Sequence, residues 1–376
     1  MNTYDRILFI GLGLSTAVTI RRLLDKKFTG EIVVVEKGDA PERCKRWCAW
    51  EPLPQGLSHL TSARWEHWSA TNAGQSSTNT SREHAYTQIH ASDFWDDFIS
   101  HSENAPNLRI LYKTPFTHSA DAASFQAAAH EICGWKPNLT LDSRPPLLPK
   151  GSLQQQFVGY TVEACRPTFS PDCAQLMHFD DSQASTIAFT YCLPYSTNRA
   201  LVEYTLFDSH DFNPDTIKGH LTRSLKQNFG LSEPDFSIIE SEQGCLPMEP
   251  IAVQTAHSGY WPIGIASGLL RASSGYGLIP IHHHAVACAD SILAGATLPQ
   301  SAKRNGLTDF LDFQFCKILK VSPTVGRRAL FCAFDNMKTP SFIKLMRGEI
   351  TFGVALETIW AMPKWAFLKI LLSQKR

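Results

Sequence analysis

Three stretches of this sequence predict its fold class. A short apolar run, Arg6–Ile10, leads through Gly11-Leu12-Gly13 into a helical pattern and then into the β-branched run Glu31–Glu36. Between Gln156 and Phe207 the pattern changes to short β-type runs, and beyond Ala285 it is helical. Together they predict an α/β protein: a Rossmann-type dinucleotide-binding domain, an antiparallel β domain inserted into it, and a helical C-terminal region. The boundaries expected are 1–150 and 251–300 for the two parts of the dinucleotide-binding domain, 151–250 for the β substrate domain, and 301–376 for the helical region.

The first helix is expected over Leu14–Leu24, where Leu14, Ala17, Val18, Ile20, Leu23 and Leu24 recur at helical intervals, and Phe28-Thr29-Gly30 stops it. Residues 70–84 read as a polar loop. Leu139–Leu141 reads as a strand entering the rigid turn Asp142-Ser143-Arg144-Pro145-Pro146. Phe157–Val162, Ile187–Leu193 and Leu201–Phe207 read as the strands of the inserted sheet, and Pro323, Pro340 and Pro363 as breaks in the helical end.

With 376 residues, 43% hydrophobic and 11% aromatic, the chain supports a sizeable core and is neither a disordered tail nor a fibre. Its 35 Lys/Arg and 35 Asp/Glu cancel, so no nucleic-acid partner is expected. The balance is uneven: residues 301–376 hold 13 basic and 5 acidic side chains, against 22 and 30 before them. No signal peptide is expected, since the opening MNTYDRILFIG lacks a basic segment before a long apolar one. Ten cysteines without framework spacing suggest reduced, cytoplasmic thiols. No metal site is expected. Cys44 and Cys48 could share a helix face, but no second pair of soft ligands follows at zinc-site spacing, and His282-His283-His284 would point about 100° apart on a helix. A spanning helix is not expected either, because Ile350–Leu372 is interrupted by Glu357, Pro363, Lys364 and Lys369.

Gly11-x-Gly13-x-Ser15-Thr16 carries the first chemistry. Gly11 permits a tight turn, Gly13 lets backbone approach a pyrophosphate, and the helix beginning near Ser15 and Thr16 offers free N–H groups to an anion. Glu36 lies 20 residues beyond Thr16, at the end of the second strand, where a carboxylate would bind a ribose hydroxyl. An acid there favours FAD or NAD over NADP. A second cluster of small residues, Gly264 to Gly268 and Ser274-Gly275-Tyr276-Gly277, precedes another helix and would suit close approach to a phosphate or a flavin ring.

These residues resemble the flavoprotein lycopene cyclases, the bacterial carotenoid β-cyclase type within the para-hydroxybenzoate-hydroxylase-like flavoproteins. Six short blocks follow in the family's order after the flavin fingerprint at Ile10–Leu14: Arg46-Trp-Cys-Ala-Trp50, Leu141-Asp-Ser-Arg-Pro145, Gln156-Phe-Val-Gly159, Leu193-Pro194 with Leu201-Val-Glu-Tyr-Thr205, Glu242-Gln-Gly-Cys-Leu-Pro-Met248, and Ser274-Gly-Tyr276. The family's Met-Asp-Phe-Arg block reads Met177-His178-Phe179-Asp180 here, and Ala272 stands where a proline is usual.

The resemblance implies a non-redox cyclisation of lycopene: an alkene is protonated, a neighbouring double bond closes the ring, and a proton leaves. It implies reduced FAD, NADPH as reductant, and an apolar polyene substrate. Strand alternation puts Leu201, Glu203 and Thr205 on one face, so Glu203 is the expected acid, with a solvent-facing edge glutamate as the alternative. Asp180 and Asp181 are second candidates, equally readable as a turn. Arg46 and Arg144 either reach FAD phosphates or cap strand ends. A flavin monooxygenase or halogenase on the same scaffold is the main alternative, and a non-catalytic carotenoid- or flavin-binding homologue the third. The basic end, with Trp360, Trp365 and Phe367 beside Lys364, Lys369, Lys375 and Arg376, suits a helix lying in a membrane interface. A cytoplasmic protein peripheral to a membrane surface is therefore expected.

Overall fold

The structure is a computed structural model that describes residues 4–117, 122–183, 185–249, 259–300 and 306–364. Its strands in chain order are β1 (Arg6–Ile10), β2 (Glu31–Val35), β3 (Arg46–Trp50), β4 (Thr61–Trp65), β5 (His67–Asn72), β6 (Gln75–Thr80), β7 (Tyr86–His90), β8 (Leu108–Leu111) and β9 (Leu139–Asp142). They continue as β10 (Gln154–Ala164), β11 (Cys173–Phe179), β12 (Ile187–Pro194), β13 (Arg199–Asp208), β14 (Phe236–Pro247) and β15 (Tyr260–Pro262). The helices are α1 (Leu14–Asp25), α2 (Ala91–Ser102), α3 (Ala122–Cys133), α4 (Pro214–Phe229), α5 (Leu278–Ala294), α6 (Gly306–Val321), α7 (Pro323–Asn336), α8 (Thr339–Arg347) and α9 (Phe352–Ala361).

The first layer is a parallel sheet in the order β15-β9-β1-β2-β8. In β1 and β2 only the leading Arg6 and Glu31 reach solvent, and the four residues that follow are buried. Helices covering both faces of a parallel sheet demand such unbroken apolar runs. Helix α1 packs on this sheet and against α5 through Ala17, Val18, Ile20 and Leu23.

The second layer is a seven-stranded sheet, β14-β10-β13-β12-β11-β5-β6, antiparallel except where β5 meets β11. Alternation gives β13 two working faces. Val202, Tyr204 and Leu206 pack under α4, while Leu201 and Phe207 join the core shared with α6–α9. A small sheet, β3-β7-β4, links the two layers. The prolines behave as expected, with Pro323 and Pro340 in the first turns of α7 and α8 and Pro363 just beyond α9.

Two expectations are corrected. Residues 70–84 are not a loop but mostly the hairpin β5–β6, closed by Ala73 and Gly74 at φ 50° and 78°. Two successive left-handed residues fit the twist of a two-residue hairpin turn, and the Ser/Thr/Asn composition hid that pairing. Cys44 and Cys48 share no helix, because Cys48 lies on strand β3 and Cys44 in the exposed segment before it. The triple histidine lies on a helix as expected, in the second turn of α5, with His282 and His284 buried and His283 exposed. No group of side chains suited to a metal ion occurs among the described residues.

Asn79 shows why the hairpin stays put. Its buried amide donates to the Phe334 carbonyl at 2.9 Å and accepts from the Thr339 hydroxyl at 2.7 Å, tying β6 to α7 and α8. Replacing Asn79 with Ala strands both partners. Denaturant unfolding is expected to show a loss of about 2 kcal/mol, and an unchanged midpoint would refute this role.

Candidate functional site

The turn after β1 opens a cavity of about 1780 Å³ that runs from the parallel sheet to the C-terminal helices. Gly11 has φ 87°, and a Cβ there would lie 2.7 Å from Ser143 Oγ, so only glycine fits without displacing that serine. The Ser143 hydroxyl in turn donates to the Gly11 carbonyl at 2.9 Å. Gly13 caps α1 with no side-chain bond, which leaves the helix N–H groups open to an anion. From the other half of the domain comes Gly264, at φ 66°, where a Cβ would meet Ser15 Oγ at 2.7 Å. Glu36 accepts from the N–H groups of Leu12 and Gly38 at 2.8 and 2.9 Å, which sets its carboxylate beside the turn. Thr16 is different: it is fully buried, and its hydroxyl donates to the Gly11 carbonyl at 2.9 Å. It braces the turn and does not line the cavity.

The loop 271–277 forms another wall. Gly275 has φ 69°, and a Cβ there would lie 2.7 Å from Gln155 Oε1. Gly277 caps the 17-residue α5, again with no side-chain bond. Arg271 is buried and pinned to Asp312 of α6 through Nε and Nη2 at 3.0 and 2.9 Å. Its Nη1, with Ser274 Oγ and Gln155 Oε1, is buried without a hydrogen-bond partner. Buried polar atoms of this kind call for a partner, and all three residues line the cavity. Two uncapped helix ends, glycines whose Cβ atoms would collide, and unsatisfied donors and acceptors fit an extended polar group such as a dinucleotide.

Past this point the cavity holds acids. Gly159 of β10 pairs with Glu203 of β13 on one side and Glu242 of β14 on the other. Directly opposed residues share a sheet face, so both carboxyls lean over the glycine into the cavity. Glu203 is buried, and the Thr205 hydroxyl donates to its Oε1 at 2.8 Å. Burial pushes its carboxyl above the ordinary range, and the nearby Glu242 charge pushes it further. Burial raises Glu242 as well, against the pull of Arg46 and Lys45. Around the acids stand rings. The Tyr86 hydroxyl bonds those of Tyr191 and Tyr276 at 2.9 and 3.1 Å, and Trp50 packs on Tyr86 and Tyr276 at 4.7 and 5.4 Å between centroids. Tyr191 donates to Cys48 Sγ, a thiol that burial pushes up to about 12 and so keeps neutral.

The structure thus brings Gly11, Gly13, Ser15, Glu36, Gly264, Gly275 and Glu203 to one cavity. Arg46 lines it too, but its guanidinium is taken up by Glu240, the Thr161 hydroxyl and the Cys44 carbonyl. Arg144 is bound to Asp142 at the end of β9 and to the Phe116 carbonyl. Asp180 is not brought there. It accepts from Tyr204 at 2.6 Å and from the Ser182 N–H at 2.9 Å, and Tyr204 lies on the α4 side of β13, opposite Glu203. Burial alone would raise the Asp180 carboxyl, but these bonds outweigh it and hold it below its ordinary value, the wrong direction for a proton donor. Asp181 pairs with Arg327. The unforeseen members are Glu242, Gly159, Gln155, Arg271 and Tyr86. Glu242 and Gly159 left signals: both stand in the blocks that resemble the family, and Glu242 alternates with Glu240 along a strand.

The raised carboxyls set the sign of a pH effect. A group whose folded value lies above its unfolded one stabilises the fold fully below about pH 4, and that stability is lost as pH rises through the folded value. Glu203→Gln mimics the protonated form. Thermal unfolding is expected to place the variant above the native protein near pH 8 and close to it near pH 4; equal offsets at both would contradict a raised Glu203.

No curated protein matches the chain in sequence. Among solved structures, a geranylgeranyl bacteriochlorophyll reductase-like protein from Thermoplasma acidophilum matches with a TM-score of 0.65 at 12% identity, covering 98% of both chains. The p-nitrophenol 4-monooxygenase PnpA from Pseudomonas putida DLL-E4 matches at 0.59 and 14%, covering 95% of this chain and 98% of its own. A flavoprotein/dehydrogenase from Cytophaga hutchinsonii matches at 0.55 and 11%, covering 99% and 100%. At such identities the likeness is one of fold. The model of the lycopene cyclase protein family matches residues 6–310, and the chain belongs to that family.

Proposed function

We propose that the protein is a carotenoid cyclase that converts the linear ψ end groups of lycopene to β-rings without net redox change. The observation that carries this reading is Glu203: a buried carboxyl held toward its protonated form, facing an apolar cavity continuous with a dinucleotide-binding turn. An alkene is a weak base, so its proton donor must be fixed against the carbon in a dry site. Glu203 supplies that donor, and Thr205 fixes one of its oxygens. The faces of Trp50, Tyr86 and Tyr276 would stabilise the cation that follows. Phe189, Leu201 and Phe207 keep water from it.

FAD is the dinucleotide that the family membership favours, with NADPH to reduce it. Gly11, Gly13, Ser15 and Gly264 would hold its pyrophosphate, Glu36 its ribose, and Gly275, Ser274, Gln155 and Arg271 the ring system. In its reduced state it would supply negative charge to the site. In a host that accumulates lycopene, expression is expected to turn red pigment yellow-orange, with products that co-migrate with β-ring standards. Glu203→Gln is expected to lower conversion at least about 100-fold. Unchanged lycopene together with NADPH-driven peroxide release would favour a monooxygenase-type reaction and reject the cyclase.

The substrate lives in lipid, and the reading extends to a membrane surface. Among the described residues no helix is long and apolar enough to cross a bilayer. Helices α6 and α9 instead expose Phe310, Phe313, Phe352, Leu356, Ile359 and Trp360, the last at 72%. Phe310 and Ile359 also line the cavity, so this patch borders its mouth. Lys364 lies 3.3 Å over the Trp360 ring, giving the patch a basic edge. Such a face suits an anionic lipid interface. Residues 365–376, which include Trp365, Phe367, Lys369, Lys375 and Arg376, lie outside the described residues. The protein is expected to sediment with anionic vesicles at low salt and to be released by about 0.5 M salt. Trp360→Ala with Phe352→Ala should weaken that binding several-fold; a protein that stays in the supernatant at low salt refutes the membrane reading.

A further inference from the structure

Cyclisation takes up a proton at one carbon and gives one up from another, so an acid alone completes half of the reaction. We propose that Glu242, facing Glu203 across Gly159, is the base that removes the second proton, and that the two carboxyls hold one proton between them at rest. The identity of the carbon acid rests on the cyclase reading; the shared proton does not.

The geometry is that of a pair made to interact. Two strands separated by a third lie about 9–10 Å apart, too far for glutamates held apart by a side chain between them. Gly159 removes that obstacle. A Cβ on it would lie 3.3 Å from Glu203 Cβ and 3.4 Å from Glu242 Cγ, in the gap that the two side chains share. Both acids are buried, and both line the cavity. Two carboxylates so placed cannot both ionise cheaply in a dry site.

The surroundings are unequal, and this gives each acid its role. The Arg46 N–H donates to Glu242 Oε2 at 3.1 Å, and Lys45 is bound to the carbonyl of Gln243, the next residue. Glu240, also on β14, is paired with Arg46, and His90 Nε2 lies 3.3 Å from its carboxylate. Among the described residues Glu203 accepts a hydrogen bond from the Thr205 hydroxyl and feels the Lys45 charge as the weakest of the influences on it, and Cys48 and Tyr191 on its other side are held neutral by burial. Arg46 and Lys45 together stabilise the carboxylate at Glu242, whereas Lys45 alone acts on Glu203, and this leaves the proton on Glu203. In the reaction the Glu203 O–H bond breaks and a C–H bond forms at the terminal alkene. The neighbouring alkene then closes the C–C bond of the ring. A C–H bond beside the new cation breaks, its electron pair becomes the ring double bond, and the proton passes to Glu242. Return of that proton to Glu203 resets the pair, with no proton or electron consumed.

The test uses holoenzyme and two readouts. In deuterated water with lycopene-loaded vesicles, Glu203→Gln should incorporate no deuterium. Glu242→Gln should still incorporate it, while β-ring formation falls about 100-fold and ring isomers or hydrated products appear. Glu242→Asp should recover β-rings in part. β-ring formation by Glu242→Gln at the native rate, with the native pH profile, overturns the proposal. Independently of turnover, infrared titration of enzyme labelled with ¹³C-glutamate should show the Glu203 acid band lost at lower pH in Glu242→Gln than in the native protein. Gly159→Ala, which inserts a methyl group between the two acids, should move the band in the same direction. An unmoved band in Glu242→Gln overturns the shared proton, whereas a moved band in an enzyme inert toward lycopene retains the pair and rejects the substrate.

Discussion

A carboxyl group that must keep its proton has to be kept from water, and most layers of this molecule contribute to that seclusion. Strand β13 is buried on both faces, so Glu203 points into an enclosed space instead of solvent. The C-terminal helices close that space from one side, and the aromatic group around Trp50 closes it from another. Removing such a group from water costs several kcal/mol if it stays charged. Neutralisation is the less costly outcome, and it leaves a protonated carboxyl facing the cavity.

The parts legible in the sequence were those that local physics determines. The βαβ unit could be read because turn, helix and strand are contiguous and each carries its own signature. The orientation of Glu203 could be read because alternation along one strand needs no knowledge of neighbours. What escaped was non-local. Glu242 meets Glu203 only through the register of β10 with both flanking strands, about 40 residues apart in the chain. The hairpin at 67–80 looked like a loop because its polar residues pair with each other and with buried partners on α7 and α8, contacts no short window contains. Asp180 misled for a related reason. Its nearness to family blocks said nothing about which face of the sheet it occupies, and its bond to Tyr204 places it under α4.

The fold matches reductase-like and monooxygenase structures over nearly their whole length at 12–14% identity. Backbone course therefore says little about chemistry here. The features that bear on it are side chains on the cavity wall: a pair of carboxyls where a glycine leaves room, tyrosines whose hydroxyls bond one another, and aromatic rings packed around them. A wall of this composition favours neutral reactants and penalises an entering water molecule.

The buried pair of Arg271 and Asp312 has a mechanical consequence. Breaking a buried ion pair by separating its members is strongly unfavourable, so the loop carrying Ser274 and Gly275 moves with α6 or not at all. Helix α6 also carries the exposed Phe310, which lines the cavity, and the exposed Phe313. The two ends of the chamber are thus joined by a rigid strut. A guest that wedges α6 outward to enter must also shift the loop at the far end, and a ligand that settles that loop stiffens the doorway.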